Sequence, residues 1–362
     1  MSEVGLHKTE LDTPALWVEL DTMEANIATL ASHFRAAGVA WRPHTKGLKV
    51  PAIAHKALRA GAIGVTCAKL GEAEVMAAAG ISDILIANQI VTPKKIARLV
   101  ALRHHADVKV AVDNSENVTA LGAAASAAGR ELGVLVHIDS GMHRTGVQPG
   151  EPVLELAVTV AATPGLELLG VMSWEGHILA HGDPDEKRQA AEEAMDLVSK
   201  SVELCRAHGL ACPVVSCGGS GTAEVTPHTG AITEIQAGGG IFCDSLYRSW
   251  NRLTEPSLFV RTTVSSRPAP KRVILDAGFK SMPMWFGQPQ PLDFPLWESM
   301  AFSAEHGVIT LVEPDESIRV GDAHDFVIGY GDATVFLHDL LYGVRDETVE
   351  VVWPILGRGK LR

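Results

Sequence analysis

Basic charge is what this chain has too little of. Its 362 residues hold 31 Lys and Arg against 43 Asp and Glu, a formal net charge of −12 at pH 7. Nucleic acid and anionic membrane surfaces, both of which select for basic patches, are therefore not expected as partners. Long apolar runs are missing as well: none approaches the roughly 18 residues of a membrane-spanning helix. Residues 1–11 are polar where a secretory leader needs an apolar core. Cysteine is scarce and unpatterned. Cys67, Cys205, Cys212, Cys217 and Cys243 are odd in number and include no C-x-x-C pair. Neither a disulfide framework nor a structural zinc site is expected, and a reducing, cytoplasmic setting fits. The Gly-x-x-x-x-Gly-Lys-Ser/Thr loop is absent too, which excludes the usual grip on a nucleoside triphosphate.

What the chain has is length and apolar material, 46% of its residues, enough for a barrel-sized domain and a smaller one. A strand-like stretch at 15–21 leads to a predicted helix at 23–37, with Asp21 or Thr22 as its cap. Apolar strands are then expected at 39–42, 62–67, 83–87, 108–112, 133–138, 168–173, 213–216 and 233–236. Stretches such as 51–60, 70–79, 93–102, 115–128 and 186–208 repeat their apolar residues at three and four, so they read as helices. Eight strands alternating with helices predicts an α/β (β/α)8 TIM-type barrel. A doubly wound open sheet is the alternative, because periodicity does not reveal closure. From about residue 257 short β-type runs take over, at 258–264, 272–275, 306–311, 325–328 and 349–353, with 267–270 and 288–295 as loops. The expected organisation is an N-terminal segment, 1–20, packing with the β domain; a barrel, 21–256; and a mostly β C-terminal domain, 257–362.

In such a barrel the functional groups collect at the C-terminal ends of the strands. Strand one ends in His44-Thr45-Lys46, strand five in the stretch Asp139 to Gly146 that contains Arg144. Strand six ends in Trp174-Glu175-Gly176-His177, with His181 shortly after. Strand seven ends in Cys217-Gly218-Gly219-Ser220-Gly221-Thr222, and strand eight in Gln236-Ala237-Gly238-Gly239-Gly240. A lysine partly shielded from water keeps its amine neutral often enough to attack a carbonyl; the plain alternative is a surface lysine in a turn. Successive glycines let backbone N–H groups approach an anion, Ser220 and Thr222 add hydroxyls, and strands seven and eight are the usual phosphate position. A tight loop packed on a helix is the plain alternative there. A phosphate at strands seven and eight with a lysine across the mouth suggests pyridoxal 5′-phosphate. Arg144 would donate to the cofactor's phenolic oxygen or to a substrate carboxylate, or simply form a surface ion pair.

Several motifs in one order carry a resemblance: Thr13-Pro14-Ala15, Arg42-Pro43-His44-Thr45-Lys46, the stretch Thr66 to Glu74, Asp139 to Val147, Ser216 to Thr222 and Glu234 to Gly238. In the second domain Asp276-Ala277-Gly278, Glu305-His306-Gly307 and His338 to Arg345 extend it. Over nearly the whole chain the sequence resembles fold-type III pyridoxal-phosphate enzymes of the D-threonine aldolase and D-serine dehydratase group, relatives of alanine racemase. The resemblance implies that Lys46 is the Schiff-base lysine and that Ser220, Gly221, Thr222, Gly238 and Gly239 surround the phosphate. His44, Trp174, Gly219 and Gln236 are further candidates for cofactor contact, and Glu175 would keep the pyridine nitrogen protonated if it lay beside it. It also implies a homodimer in which both domains, from different subunits, close the active site.

One departure stands out. Aldolases of this group carry Pro-Gly-His-Cys-Asp-Pro-Thr, whose His and Asp hold a divalent metal; this chain has Ile328-Gly329-Tyr330-Gly331-Asp332-Ala333-Thr334. A neutral phenol is a poor ligand beside imidazole, and one carboxylate alone rarely holds a transition metal. Either Asp332 holds magnesium or manganese weakly, or no metal is used and Tyr330, with His177 or His181, moves the proton. With a reference pKa of about 10, a tyrosine acting as base needs a cation nearby. The leading expectation is retro-aldol cleavage of D-configured β-hydroxy-α-amino acids to glycine and an aldehyde. Racemisation with Tyr330 as second base is one alternative. Dehydration is another, disfavoured by loss of the metal-binding Cys as well as the His. A pyridoxal-phosphate carrier is argued against by the long C-terminal domain.

Overall fold

A computed structural model describes residues 3–362; residues 1 and 2 of the expected N-terminal segment lie outside the described residues. The chain forms two compact units. One comprises Leu30–Lys46, Ile53–Gly238 and Lys360–Arg362; the other takes the described residues through Thr29, with Gly47–Ala52 and Gly239–Gly359. This division differs from a cut at 256, because the stretch that follows the eighth barrel strand groups with the β unit, and the last three residues with the barrel.

In the barrel unit eight parallel strands run Ala40–Trp41, Val65–Cys67, Asp83–Ile86, Asp107–Val112, Leu132–Ile138, Leu166–Ser173, Val214–Cys217 and Glu234–Ile235, neighbour to neighbour, with the first strand paired to the eighth. The ring closes between strands one and two. Ile63 and Thr66 donate their N–H groups to the carbonyls of Trp41 and Pro43, each at 2.9 Å, and His44 bridges Thr66 in parallel. Closure settles the TIM-type barrel over the open sheet. The strand period of two sorts the side chains. Leu85, Ala111, Leu135 and Met172 form one buried cluster, while their chain neighbours Ile84, Val110, Val134 and Val171 pack into the large core with the helices. Helices Leu70–Ala78, Pro93–Leu102, Ser115–Ala127 and Pro184–Ala207 fall where the periodicity places them. The helix Glu151–Ala162 is additional. Val153, Leu154, Leu156, Ala157 and Val160 are all buried in it, and so apolar a stretch blurs the contrast between faces on which a helical reading depends.

In the β unit the strand Ala15–Glu19 pairs antiparallel with Leu258–Ala269 and parallel with Leu340–Arg345. Around them lie Arg272–Leu275, Gly307–Leu311 and Trp297–Phe302 on one side and Thr348–Pro354 on the other, while Ala323–Val327 joins Leu258–Ala269 to the short Gln290–Pro291. Two expected loops are thus partly strand. Residues 267–269 continue the long strand past two register shifts, and a proline is tolerated where the ladder is already irregular. The helix Leu20–Ala36 also starts earlier than predicted. Its first N–H groups are capped by Glu19, whose carboxylate accepts from Thr22 N (2.5 Å) and Asp21 N (3.3 Å), so neither Asp21 nor Thr22 is the cap. All five cysteines are buried free thiols. Among the described residues no helix is long and apolar enough to cross a membrane.

Candidate active site

Lys46 sits half-buried on a 3-10 turn, Thr45–Gly47, entered from the first barrel strand. The turn is braced from beneath. The Thr45 hydroxyl donates to Glu72 Oε1 at 2.9 Å, with the Thr66 carbonyl at 3.1 Å, and the other Glu72 oxygen accepts from Ala68 N at 2.9 Å. Glu72 has no solvent exposure, so these bonds replace the water it gave up. His44 donates its backbone N–H to the Gln236 carbonyl (3.1 Å), and its Nδ1 accepts the Lys46 backbone N–H (3.3 Å). That bond fixes Nδ1 as acceptor and the imidazole as a positioning element. The sheet order corrects one expectation. Strand one pairs directly with strand eight, and eight with seven. The lysine and the two glycine turns therefore stand on three consecutive strands, not on opposite sides of the mouth.

The glycine turn after strand seven is organised by Glu175, which has no solvent exposure. Its carboxylate accepts from Gly218 N (3.2 Å), Thr222 Oγ1 (2.8 Å) and Thr226 Oγ1 (2.6 Å). Two residues expected near the cofactor have protein partners here. The Thr222 hydroxyl donates to Glu175 and accepts from Gly219 N (3.1 Å), so it shapes the turn. Gln236 likewise points its amide at Ser216 Oγ (2.9 Å) and ties strand eight to strand seven. Glu175 itself is an anchor for the turn. Glycine is required by close approach at two points: a Cβ on Gly219 would come within 2.6 Å of the Trp174 ring, and one on Gly238 would overlap the His44 carbonyl. Trp174 thus walls the turn. Ser220 is buried on the short 3-10 helix Ser220–Thr222.

His177 comes close to the strand-five loop, where a Cβ on Gly141 would lie 2.7 Å from its ring. Burial lowers its pKa against the opposing pull of Glu175 and Asp139, so it is neutral at pH 7, and its buried Nδ1 has no hydrogen-bond partner. His181 is exposed and pairs with Glu186 at 3.6 Å. Arg144 is exposed on the Asp139–Gly146 loop, whose turn is held by Asp139 accepting from Gly141 N and His143 N.

In the β unit the Tyr330 hydroxyl donates to Asp332 Oδ2 at 2.9 Å. Burial pushes the phenol's pKa up, and the adjacent Asp332 carboxylate pushes it further, so the proton stays on the phenol. The other carboxylate oxygen, Oδ1, lies against Gly47, where any Cβ would overlap it. Rings surround Tyr330: Tyr247, Trp285 and Phe286 have centroids 5.9, 6.3 and 6.2 Å away. The backbone of this loop is pinned by Asp244, which accepts from Gly331 N (2.5 Å) and Tyr247 N (2.8 Å). Burial raises the Asp244 carboxyl to about 7 against those two donors. Asp244, Tyr247, Trp285 and Phe286 were not foreseen. A cap signal before 245–250 was readable for Asp244; no local pattern assigns the rings. Among the described residues no group of three or more His, Cys, Asp or Glu could hold a metal ion.

A closed barrel with a half-buried lysine on the turn after its first strand and two glycine turns, joined to a β unit that begins at the chain's own N-terminal strand, defines the alanine racemase type of architecture. Comparison with known proteins agrees. Residues 18–245 match the model of the alanine racemase N-terminal domain, and residues 257–344 that of a putative serine dehydratase domain. The chain is 37% identical to a D-threonine aldolase of an Arthrobacter species over 96% of this chain and 93% of that one. It is 36% identical to a 3-hydroxy-D-aspartate aldolase of Paracoccus denitrificans, covering 98% and 94%. The crystal structure of D-threonine aldolase from Filomicrobium marinum superposes with a TM-score of 0.96 at 35% identity, covering 100% and 99% of the two chains. The chain therefore belongs to the D-threonine aldolase and serine dehydratase family of alanine racemase-like enzymes.

Proposed function

We propose that this chain is a pyridoxal-phosphate-dependent lyase that cleaves D-configured β-hydroxy-α-amino acids to glycine and an aldehyde. The observation that carries the reading is the braced Lys46 turn standing beside the two glycine turns on consecutive barrel strands, in a chain 36–37% identical to two aldolases. The residues fit the cofactor. Lys46 supplies the amine that would hold it covalently, the turns at Gly219-Ser220-Gly221 and Gly238-Gly239 would take its phosphate, and the orphaned His177 Nδ1 is a buried polar atom awaiting a partner. Pyridoxal phosphate, when bound, supplies a conjugated ring that takes up the electron pair released as Cα–Cβ opens.

The protein's own part is to bind, orient and move one proton. Asp332 accepts the proton of the substrate's β-hydroxyl, and Tyr330, by donating to Asp332 Oδ2, holds that carboxylate in one orientation. Racemisation with Tyr330 as base is disfavoured, since burial and Asp332 both hold the phenolic proton in place. Arg144, exposed on the loop after strand five, would donate to the substrate carboxylate or the cofactor's phenolic oxygen. The aromatic surroundings of Tyr330 suit an apolar β-substituent better than a carboxylate. The reading includes a cytoplasmic homodimer, supported by exposed Phe279, Leu292 and Leu296 in the β unit.

The test is purified holoprotein given D-threonine, D-phenylserine and 3-hydroxy-D-aspartate. Aldehyde release fastest from D-phenylserine is expected. Ammonia and a keto acid in place of aldehyde, or loss of optical rotation alone, would replace this reading with dehydration or racemisation.

A further inference from the structure

We infer that this chain works without a bound divalent metal, its Tyr330–Asp332 hydrogen-bonded pair standing where the family pattern expects a metal-holding His and Asp. The inference rests on the reading of Asp332 as the group that receives the β-hydroxyl proton. One oxygen of that carboxylate, Oδ2, already accepts the phenolic proton at 2.9 Å, and the other, Oδ1, lies beside Gly47. A phenol that keeps its proton turns a donor, not a lone pair, toward Asp332, so a cation placed between them would meet one carboxylate and a hydrogen. Around the phenol stand the rings of Tyr247, Trp285 and Phe286, with the Tyr247 hydroxyl hydrogen-bonded to it, and the Asp244 carboxylate near it is already committed to the backbone N–H groups of Gly331 and Tyr247. Nor does any three-membered group of His, Cys, Asp or Glu stand elsewhere among the described residues.

A carboxylate can do locally what a metal would do for the β-hydroxyl. It takes the hydroxyl proton; the O–H electron pair becomes the second bond of the aldehyde carbonyl as Cα–Cβ breaks; and the pair left on Cα later collects a proton to give glycine. No oxidant or further reactant is needed. Tyr330 is then a positioning residue, acting through Asp332.

The holoprotein, prepared with pyridoxal phosphate, is tested as purified by elemental mass spectrometry and by aldehyde release with and without chelator, and after dialysis against EDTA by calorimetric titration with MnCl2. The wild type is expected to carry below about 0.1 metal per chain, to show only heats of dilution, and to change rate less than about twofold with chelator. Tyr330→His rebuilds an imidazole–carboxylate pair and is expected to take up about one Mn2+ per chain. About one metal per chain in the wild type, removable by EDTA with a fall in rate of about tenfold or more, overturns the inference. So does a folded Tyr330→His protein that binds no more Mn2+ than the wild type. If no aldehyde forms from any substrate, the functional reading fails by itself, because metal content and calorimetry still decide this point.

Discussion

Replacing Glu175 by Gln changes one atom of a residue with no solvent exposure, and the structure says where the cost falls. The carboxylate collects three donors: Gly218 N, Thr222 Oγ1 and Thr226 Oγ1. The amide oxygen of Gln continues to accept from the threonines, but as a neutral acceptor, and its NH2 turns toward the Gly218 N–H. One donor is then left buried without an acceptor, at about 1–3 kcal/mol, and the two remaining bonds weaken by roughly 1 kcal/mol together, for a total of about 2–4 kcal/mol. Because the turn that loses its anchor is the one proposed to hold the phosphate, part of this appears as cofactor affinity. An expected weakening of about ten- to a hundredfold corresponds to about 1.4–2.8 kcal/mol. The remainder lowers Tm by several degrees, at about 2–4 °C per kcal/mol for a unit of this size. The measurement is a pyridoxal-phosphate titration by absorbance beside a thermal melt of the apoprotein, with Thr226→Val as a companion that removes a single donor. A Glu175→Gln protein that melts with the wild type and binds the cofactor within about twofold refutes the assignment of Glu175 as the anchor of this turn.

Thr45→Val removes the hydroxyl that Glu72 Oε1 accepts; a cost of about 1–3 kcal/mol is expected, read as a lower Tm, with a slower covalent capture of pyridoxal phosphate because the Lys46 turn loosens. Lys46→Ala is expected to leave the fold intact but to abolish the mass increase on borohydride treatment with pyridoxal phosphate; a retained mass increase would move the covalent site elsewhere. His137 offers a pH test. Burial drives its pKa from 6.5 to about 4, so the unfolded chain takes up a proton that the folded chain refuses as pH falls through that window. Stability associated with the neutral imidazole is full above about 6.5 and lost progressively toward about 4, amounting to about 3 kcal/mol. Urea melts of wild type and His137→Asn at pH 7 and pH 4.5 should therefore diverge, the wild type losing more; parallel losses would contradict the buried neutral state.

Much of this protein was legible along the chain. Eight apolar runs alternating with helical stretches announced the barrel strands, and a lysine, two glycine turns and a conspicuous Tyr330 in the place of a histidine announced the site, because strand and helix periods and turn chemistry are local properties. The second unit was less legible. Trp297–Phe302 and Leu340–Arg345 went unread, and Pro268 disguised the end of a long strand, since short strands draw their stability from cross-strand partners that no local window contains. Closure of the ring through His44 and Thr66, the neighbouring of strands one and eight, and the choice of Glu175 by three donors 43 to 51 residues downstream were decided only in three dimensions. The same holds for the phenol that donates to Asp332 inside a cage of rings. The physical reason is the same in each case: burial strips water from a polar group, and which partner replaces that water depends on what the folded chain brings within about 3 Å, not on what stands beside it in sequence.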